Sequence, residues 1–92
     1  MRLRVGHLGI LGHHAGCQQL DLALGESATV GDVLREIGAR FGDRFPDEVW
    51  DRRQGRFASC ISAFVDMKDV EDYDAPLGDG SEVLFVTMIA GG

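Results

Sequence analysis

"EVLFVTMIAGG", Glu82 to Gly92, is the stretch on which the reading of this 92-residue chain turns. Its first eight residues are rich in β-branched and aromatic types and suit a strand, yet the run passes straight into two residues with no side chain. Alternation along a strand sends Val83 and Phe85 to one face and Leu84, Val86 and Met88 to the other. Both faces are apolar. The first set is expected in the core, and the second is expected to form an exposed strip beside the tail, suited to docking a partner.

Working back from that strand, "YDAPLGDGS" contains Pro76 and two glycines and reads as a connection. Before it, "KDVED" reads as a brief strand after a tight turn, and "FASCISAFVD" as an apolar strand buried on both faces. Phe45 to Arg56, "FPDEVWDRRQGR", is short and highly charged. It reads as an insertion, with "DEVWDR" forming a turn or two of helix and tucking Val49 and Trp50 inward.

The period changes in "ATVGDVLREIGARFG". Val30, Val33, Leu34, Ile37 and Phe41 recur at helical spacing, Thr29 and Asp32 are placed to cap the first turn, and Gly42 is placed to end it in a left-handed conformation. Gly31 and Gly38 inside this helix each cost about 1 kcal/mol relative to alanine, which close packing against a sheet can offset. At the start of the chain "RLRVGHLGI" alternates as a half-buried strand. "LGHHAG" then reads as a loop, and "QQLDLAL" places Leu20, Leu22 and Leu24 on one face of a second strand.

The order is strand, strand, helix, strand, short strand, strand. It predicts an α+β protein, a β-grasp, with a mixed sheet of four to five strands and one main helix packed on one face. A ferredoxin-like alternative needs a second full helix, which Phe45 to Arg56 cannot easily supply.

The length suits one domain, 1–92, with a single core. A net charge of −6 argues against nucleic acid as a partner and favours a basic protein. Seven acids and one base, Lys68, lie between Asp66 and Glu82, so this segment reads either as a solvated face or as a docking surface. With no signal-peptide pattern or membrane-length apolar run, the chain is expected in the cytoplasm, off the membrane and monomeric by itself. Cys17 and Cys60 are expected to be free thiols, Cys60 as a small core residue. His7, His13, His14 and Cys17 fall close together in sequence, but their spacing matches no standard zinc pattern, so no metal is expected.

"TVGDVLREI" from Thr29, "FVDMKDVED" from Phe64 and "PLGDGSEVLFVTMIAGG" from Pro76 together resemble the ubiquitin-like sulfur carriers, the family of the molybdopterin-synthase small subunit and the thiamine sulfur carrier. The turn Asp66-Met67-Lys68-Asp69 departs from the Asn-Gly usual in relatives, and the "GHHAGC" loop is unusual. Within the family, the insertion most resembles carriers that serve cysteine or secondary-metabolite sulfur assembly.

The resemblance implies a protein that is not itself an enzyme and binds no cofactor tightly. An E1-like adenylating partner uses ATP and magnesium to activate the Gly92 carboxylate, sulfur then displaces AMP, and the thiocarboxylate is delivered to a sulfur-acceptor synthase. Ala90 and Gly91 give the thin end that this access needs, because glycine lets a partner's backbone approach closely. A ubiquitin-like modifier joined to lysines through Gly92 would use the same adenylate, and a plain β-grasp binding module is the third reading.

Overall fold

The computed structural model describes residues 1–7 and 10–87. Strands β1 (Arg2–His7) and β2 (Gln19–Ala23) pair antiparallel, with Leu3 opposite Leu22 and Val5 opposite Leu20. Leu3 and Val5 are buried while Arg2 and Arg4 face solvent, as the alternation predicts. The segment between them, expected as a loop, instead contains a short helix, α1 (Ile10–Ala15). Leu11 and Ala15 lie four apart on one side of it and are buried. So short a helix is held by tertiary burial rather than by propensity.

Helix α2 (Val30–Phe41) starts as its sequence requires. The Thr29 hydroxyl accepts from the Asp32 N–H at 3.2 Å, and the Asp32 carboxylate accepts from the Thr29 N–H at 2.9 Å. That bond from the Thr29 backbone is the main cause holding the Asp32 carboxyl below its usual range. Val30, Val33, Leu34 and Ile37 are buried.

The other end differs from expectation. Gly42 is right-handed (φ −52°, ψ −38°), and Gly42–Arg44 continue as a 3₁₀ turn. The Gly42 carbonyl accepts from the Phe45 N–H at 3.4 Å, closing that 3₁₀ turn, and from the Arg52 guanidinium at 2.8 Å, so a side chain from outside the helix helps to satisfy it.

The insertion forms no helix around Trp50. Strands β3 (Trp50–Asp51) and β4 (Arg56–Phe57) make an antiparallel hairpin, turned by Gly55 at φ 66° and by an Asp51 carboxylate that accepts from the Arg53 and Gln54 N–H groups. Val49 and Trp50 are buried, as expected. Trp50 stacks on Phe45 with ring centroids 5.9 Å apart and meets Phe57 edge-on at 5.0 Å, and Phe57 reaches Phe85 at 4.9 Å. The insertion is therefore a wall of the core. Gly38 makes room for it: a Cβ there would lie 2.9 Å from the Trp50 ring, so the close packing expected against a sheet is against this indole instead.

Strands β5 (Ile61–Val65), β6 (Lys68–Val70) and β7 (Glu82–Thr87) complete a five-stranded sheet of order β2-β1-β7-β5-β6. β7 lies in the centre, parallel to β1 and antiparallel to β5. β5 is not buried on both faces. Ile61 and Ala63 point into the core, but Ser62 and Phe64 are half-exposed, because α2 and the hairpin cover only one side of the sheet.

Cys60 is likewise half-exposed rather than a core residue, and both cysteines are free thiols. The β5–β6 turn has two central residues with positive φ, Asp66 at 50° and Met67 at 71°, the geometry of a type I′ turn without its usual glycine. Asp66 holds it in place, donating its N–H to the Glu82 carbonyl at 2.9 Å and accepting the Glu82 N–H on its carboxylate at 3.0 Å. A mixed sheet with one main helix across one face is the β-grasp. Among the described residues no helix is long and apolar enough to cross a membrane.

Candidate docking surface and tail exit

The site begins with β7. Val83 and Phe85 are fully buried against α2 and the aromatic hairpin, and the residues between and beyond them, Leu84 and Val86, are half-exposed on the opposite face. Register decides their neighbours. Leu84 stands across from Phe64 on β5 and from Gly6 on β1, and Val86 stands across from Ser62.

A Cβ on Gly6 would lie 2.5 Å from the Leu84 Cδ2, so the glycine leaves space that the leucine leans into. Phe64, Leu84 and Val86 thus form a half-exposed apolar strip on the sheet face that the described residues cover only in part. Phe64 and Gly6 were not singled out from the sequence. Their part in the strip depends on cross-strand register, which no local pattern prints.

At the rim, Arg4 and Asp21 pair loosely at 3.8 Å with both side chains largely exposed, a contact worth little in stability. The acidic segment from Asp66 to Glu82 is partly turn chemistry. Asp66 caps Glu82, Asp72 accepts from the Asp74 N–H, and Asp79 accepts from the Arg2 N–H. Its remaining acids face solvent or lie half-exposed.

Behind the strip lies His7, fully buried on the inner face among Phe41, Phe45 and Phe85, with ring centroids 6.1 to 6.4 Å away. Burial lowers its pKa. The Cys17 backbone acts weakly in the opposite sense, yet neither ring nitrogen has a hydrogen-bond partner of good geometry among the described residues. His13 and His14 sit on α1 with their rings 5.8 Å apart, separated from the buried His7. Among the described residues no group of three or more histidine, cysteine or acidic side chains is arranged to hold a metal ion.

β7 leads from this surface directly toward the remaining site residues. Met88 of the expected docking strip, and Ala90, Gly91 and Gly92 of the expected working end, lie outside the described residues.

The model of the ThiS family matches residues 10–92. The chain belongs to the ThiS family. No curated protein matches it in sequence. Among solved structures it is similar to SAMP1 from Haloferax volcanii, at 17% identity over 100% of both chains with a TM-score of 0.83. It is also similar to a putative molybdopterin converting factor, subunit 1, from Pyrococcus furiosus, at 22% identity over 97% of this chain and 99% of that one, TM-score 0.75. A chain of the BexX/CysO complex from Amycolatopsis orientalis matches at 22% identity, 98% and 99% coverage and TM-score 0.67. These neighbours show the fold. As a ThiS-family protein, the chain is a ubiquitin-like carrier or modifier, a group whose members are generally not enzymes themselves.

Proposed function

We propose that this ThiS-family chain is a sulfur carrier whose working group is the Gly92 carboxyl. The observation that carries the reading is the course of β7: the central strand of the sheet is anchored by Val83 and Phe85, presents Leu84 and Val86 outward, and runs on toward Ala90-Gly91-Gly92. A carboxylate is a poor electrophile because oxide is a poor leaving group. An E1-like partner therefore joins it to AMP at the expense of ATP, with magnesium on the phosphates, and a sulfur nucleophile then attacks the acyl carbon and expels AMP.

The thiocarboxylate so formed carries sulfur to an acceptor synthase. The carrier supplies a rigid handle and a slender end; activation and delivery belong to its partners. Five residues beyond Thr87 can span up to about 17 Å when extended, enough to enter a partner's active site while the strip of Phe64, Leu84 and Val86 holds the body against its surface. The neighbour solved within a BexX/CysO complex supports a protein of this fold working through another.

The test is incubation of the purified chain with its adenylating partner, ATP and a sulfide source, followed by intact-mass measurement. One oxygen replaced by sulfur at the terminus is the expected product, and it is lost when Gly91 and Gly92 are deleted. Lysine adducts on other proteins, with no thiocarboxylate, would instead mark a modifier. An unchanged mass would overturn both readings and leave a binding module.

A further inference from the structure

Among the described residues one large apolar side chain is exposed, that of Met67, with 76% of its surface open to solvent. It also sits where methionine is poorly suited. Its φ of 71° lies in the left-handed region, at the second central position of the β5–β6 turn, where glycine is favoured because a Cβ crowds the neighbouring carbonyl. The other two non-glycine residues with positive φ, Ser27 and Asp66, have short polar side chains, which that conformation tolerates better.

Asp66 also uses its carboxylate to accept the Glu82 N–H at 3.0 Å, so a bond to β7 offsets its strain. Met67 differs. A side chain this exposed removes little apolar area from water, so burial within the chain does not offset the strain it carries.

The turn stands at the end of the sheet opposite to the one where β7 runs out. Val65 lies across from Val83 and Asp66 is bonded to Glu82, five residues before Thr87, about 17 Å back along the strand. On the partly exposed face, the row of Phe64 and Leu84 is followed by the row of Asp66 and Glu82, and Met67 comes next at the tip. The apolar strip thus has a second apolar point beyond a polar row, roughly 10 Å from Leu84.

Size gives that second point a use. A standard specific interface buries about 800 Å² on each partner, far more than the three half-exposed side chains of the strip supply. Charge sets the kind of surface that meets it: seven acids and one base, Lys68, lie between Asp66 and Glu82, and although Arg2 and Arg4 share this end of the sheet, Arg4 already leans on Asp21 at 3.8 Å and the balance stays negative.

Resting on the proposed carrier function, we infer that Met67 is an anchor for the adenylating partner, entering an apolar pocket rimmed by basic side chains while Phe64, Leu84 and Val86 lie against the same surface. Backbone strain at the tip is kept for an intermolecular contact, as strain commonly is at binding sites. The reciprocal bonds between Asp66 and Glu82, 2.9 and 3.0 Å, fix the turn in advance, so that only a flexible side chain is ordered when the partner arrives.

Three variants separate side chain from backbone. Met67→Gly removes both the strain and the thioether chain, Met67→Ala keeps the strain and removes the chain, and Met67→Leu keeps the strain and the apolar volume. Each is measured by urea unfolding and by ATP–pyrophosphate exchange on the adenylating partner, with this protein as the varied substrate.

Met67→Gly is expected to raise the urea midpoint by about 0.5 M, and the other two to leave it within about 0.2 M. Met67→Gly and Met67→Ala are expected to raise KM about tenfold with kcat unchanged, and Met67→Leu less than about threefold. A gain in stability joined to a loss of binding is the signature, because a merely structural methionine would move the two together. The KM of the natural chain is expected to rise as sodium chloride goes from about 0.05 to 0.3 M.

A Met67→Gly chain adenylated with the natural KM would overturn the anchor and leave the carrier function standing. A urea midpoint that does not rise would overturn it too, since the methionine would then hold no strain, and a KM indifferent to salt would overturn the basic rim. No exchange with the natural chain would overturn the carrier function itself, and the anchor with it.

Discussion

The two faces of β7 carry the same kind of residue and have different tasks. Val83 and Phe85 are enclosed by α2 and the aromatic hairpin, while Leu84 and Val86, one step along the same backbone, meet only a shallow strip beside Phe64 and Gly6. Hydrophobicity alone does not separate them; coverage does. An apolar side chain stabilises the fold in proportion to the area it removes from water, so the inner face contributes to stability, and the outer face keeps its gain in reserve for a partner.

The largest expected effect tests that division directly. Phe85→Ala removes a ring from contact with His7 and Phe57 and is expected to cost about 3–5 kcal/mol in urea unfolding, enough to unfold much of a small domain. Val86→Ala is expected to cost less than about 1 kcal/mol, since its side chain is only half-buried. In the adenylation assay, Val86→Ala should raise the KM for this chain as substrate with kcat unchanged, the signature of lost uniform binding. Equal losses of stability from the two variants would erase the distinction between the faces.

How much of this was legible beforehand varies by element. The capping pair Thr29 and Asp32, the buried face of α2, and the in-and-out pattern of β7 follow from local chemistry and strict periods, and they stand as the sequence implies. The errors fall where a distant group decides. Gly42 is right-handed where the chain continues into a 3₁₀ turn whose first carbonyl also accepts from Arg52, ten residues on, and α1 exists because its Leu11 and Ala15 find a core. "DEVWDR" carries helix-compatible residues but is drawn into a hairpin by Trp50 and Phe57 joining Phe45 and Phe85. Likewise Phe64 joins the docking strip only through its register with Leu84.

His7 sharpens the comparison by pH, because it sits on the inner face with Gly6 beside it on the outer one. Burial lowers its pKa in the folded protein, so once the pH falls below the unfolded value of about 6.5 the unfolded chain binds the proton more readily. Stability is full above that value and is lost as the pH falls below it, at up to about 1.4 kcal/mol per pH unit until the folded form also protonates. In His7→Leu this component of the slope should vanish from urea midpoints measured between pH about 7 and 5. An identical slope in the variant would mean that the acid sensitivity comes from elsewhere.

The smallest effect, and the one most specific to geometry, comes from two glycines that each make room for a neighbour. A Cβ on Gly38 would stand 2.9 Å from the Trp50 ring, which Phe45 and Phe57 hold in place; a Cβ on Gly6 would stand 2.5 Å from the tip of Leu84, the far end of a flexible, half-exposed side chain. The nearer clash is therefore the cheaper one. Gly38→Ala gains about 1 kcal/mol of helix propensity and loses about 1–3 to overpacking, a net destabilisation of about 1 kcal/mol. In a Trp50→Ala background the obstruction is gone, and the same substitution should stabilise by about 1 kcal/mol. Gly6→Ala should leave stability within about 0.5 kcal/mol while displacing Leu84 and weakening partner binding. A Gly38→Ala effect with the same sign in both backgrounds would show that the indole is not what the glycine accommodates, and that the inner face is softer than its burial implies.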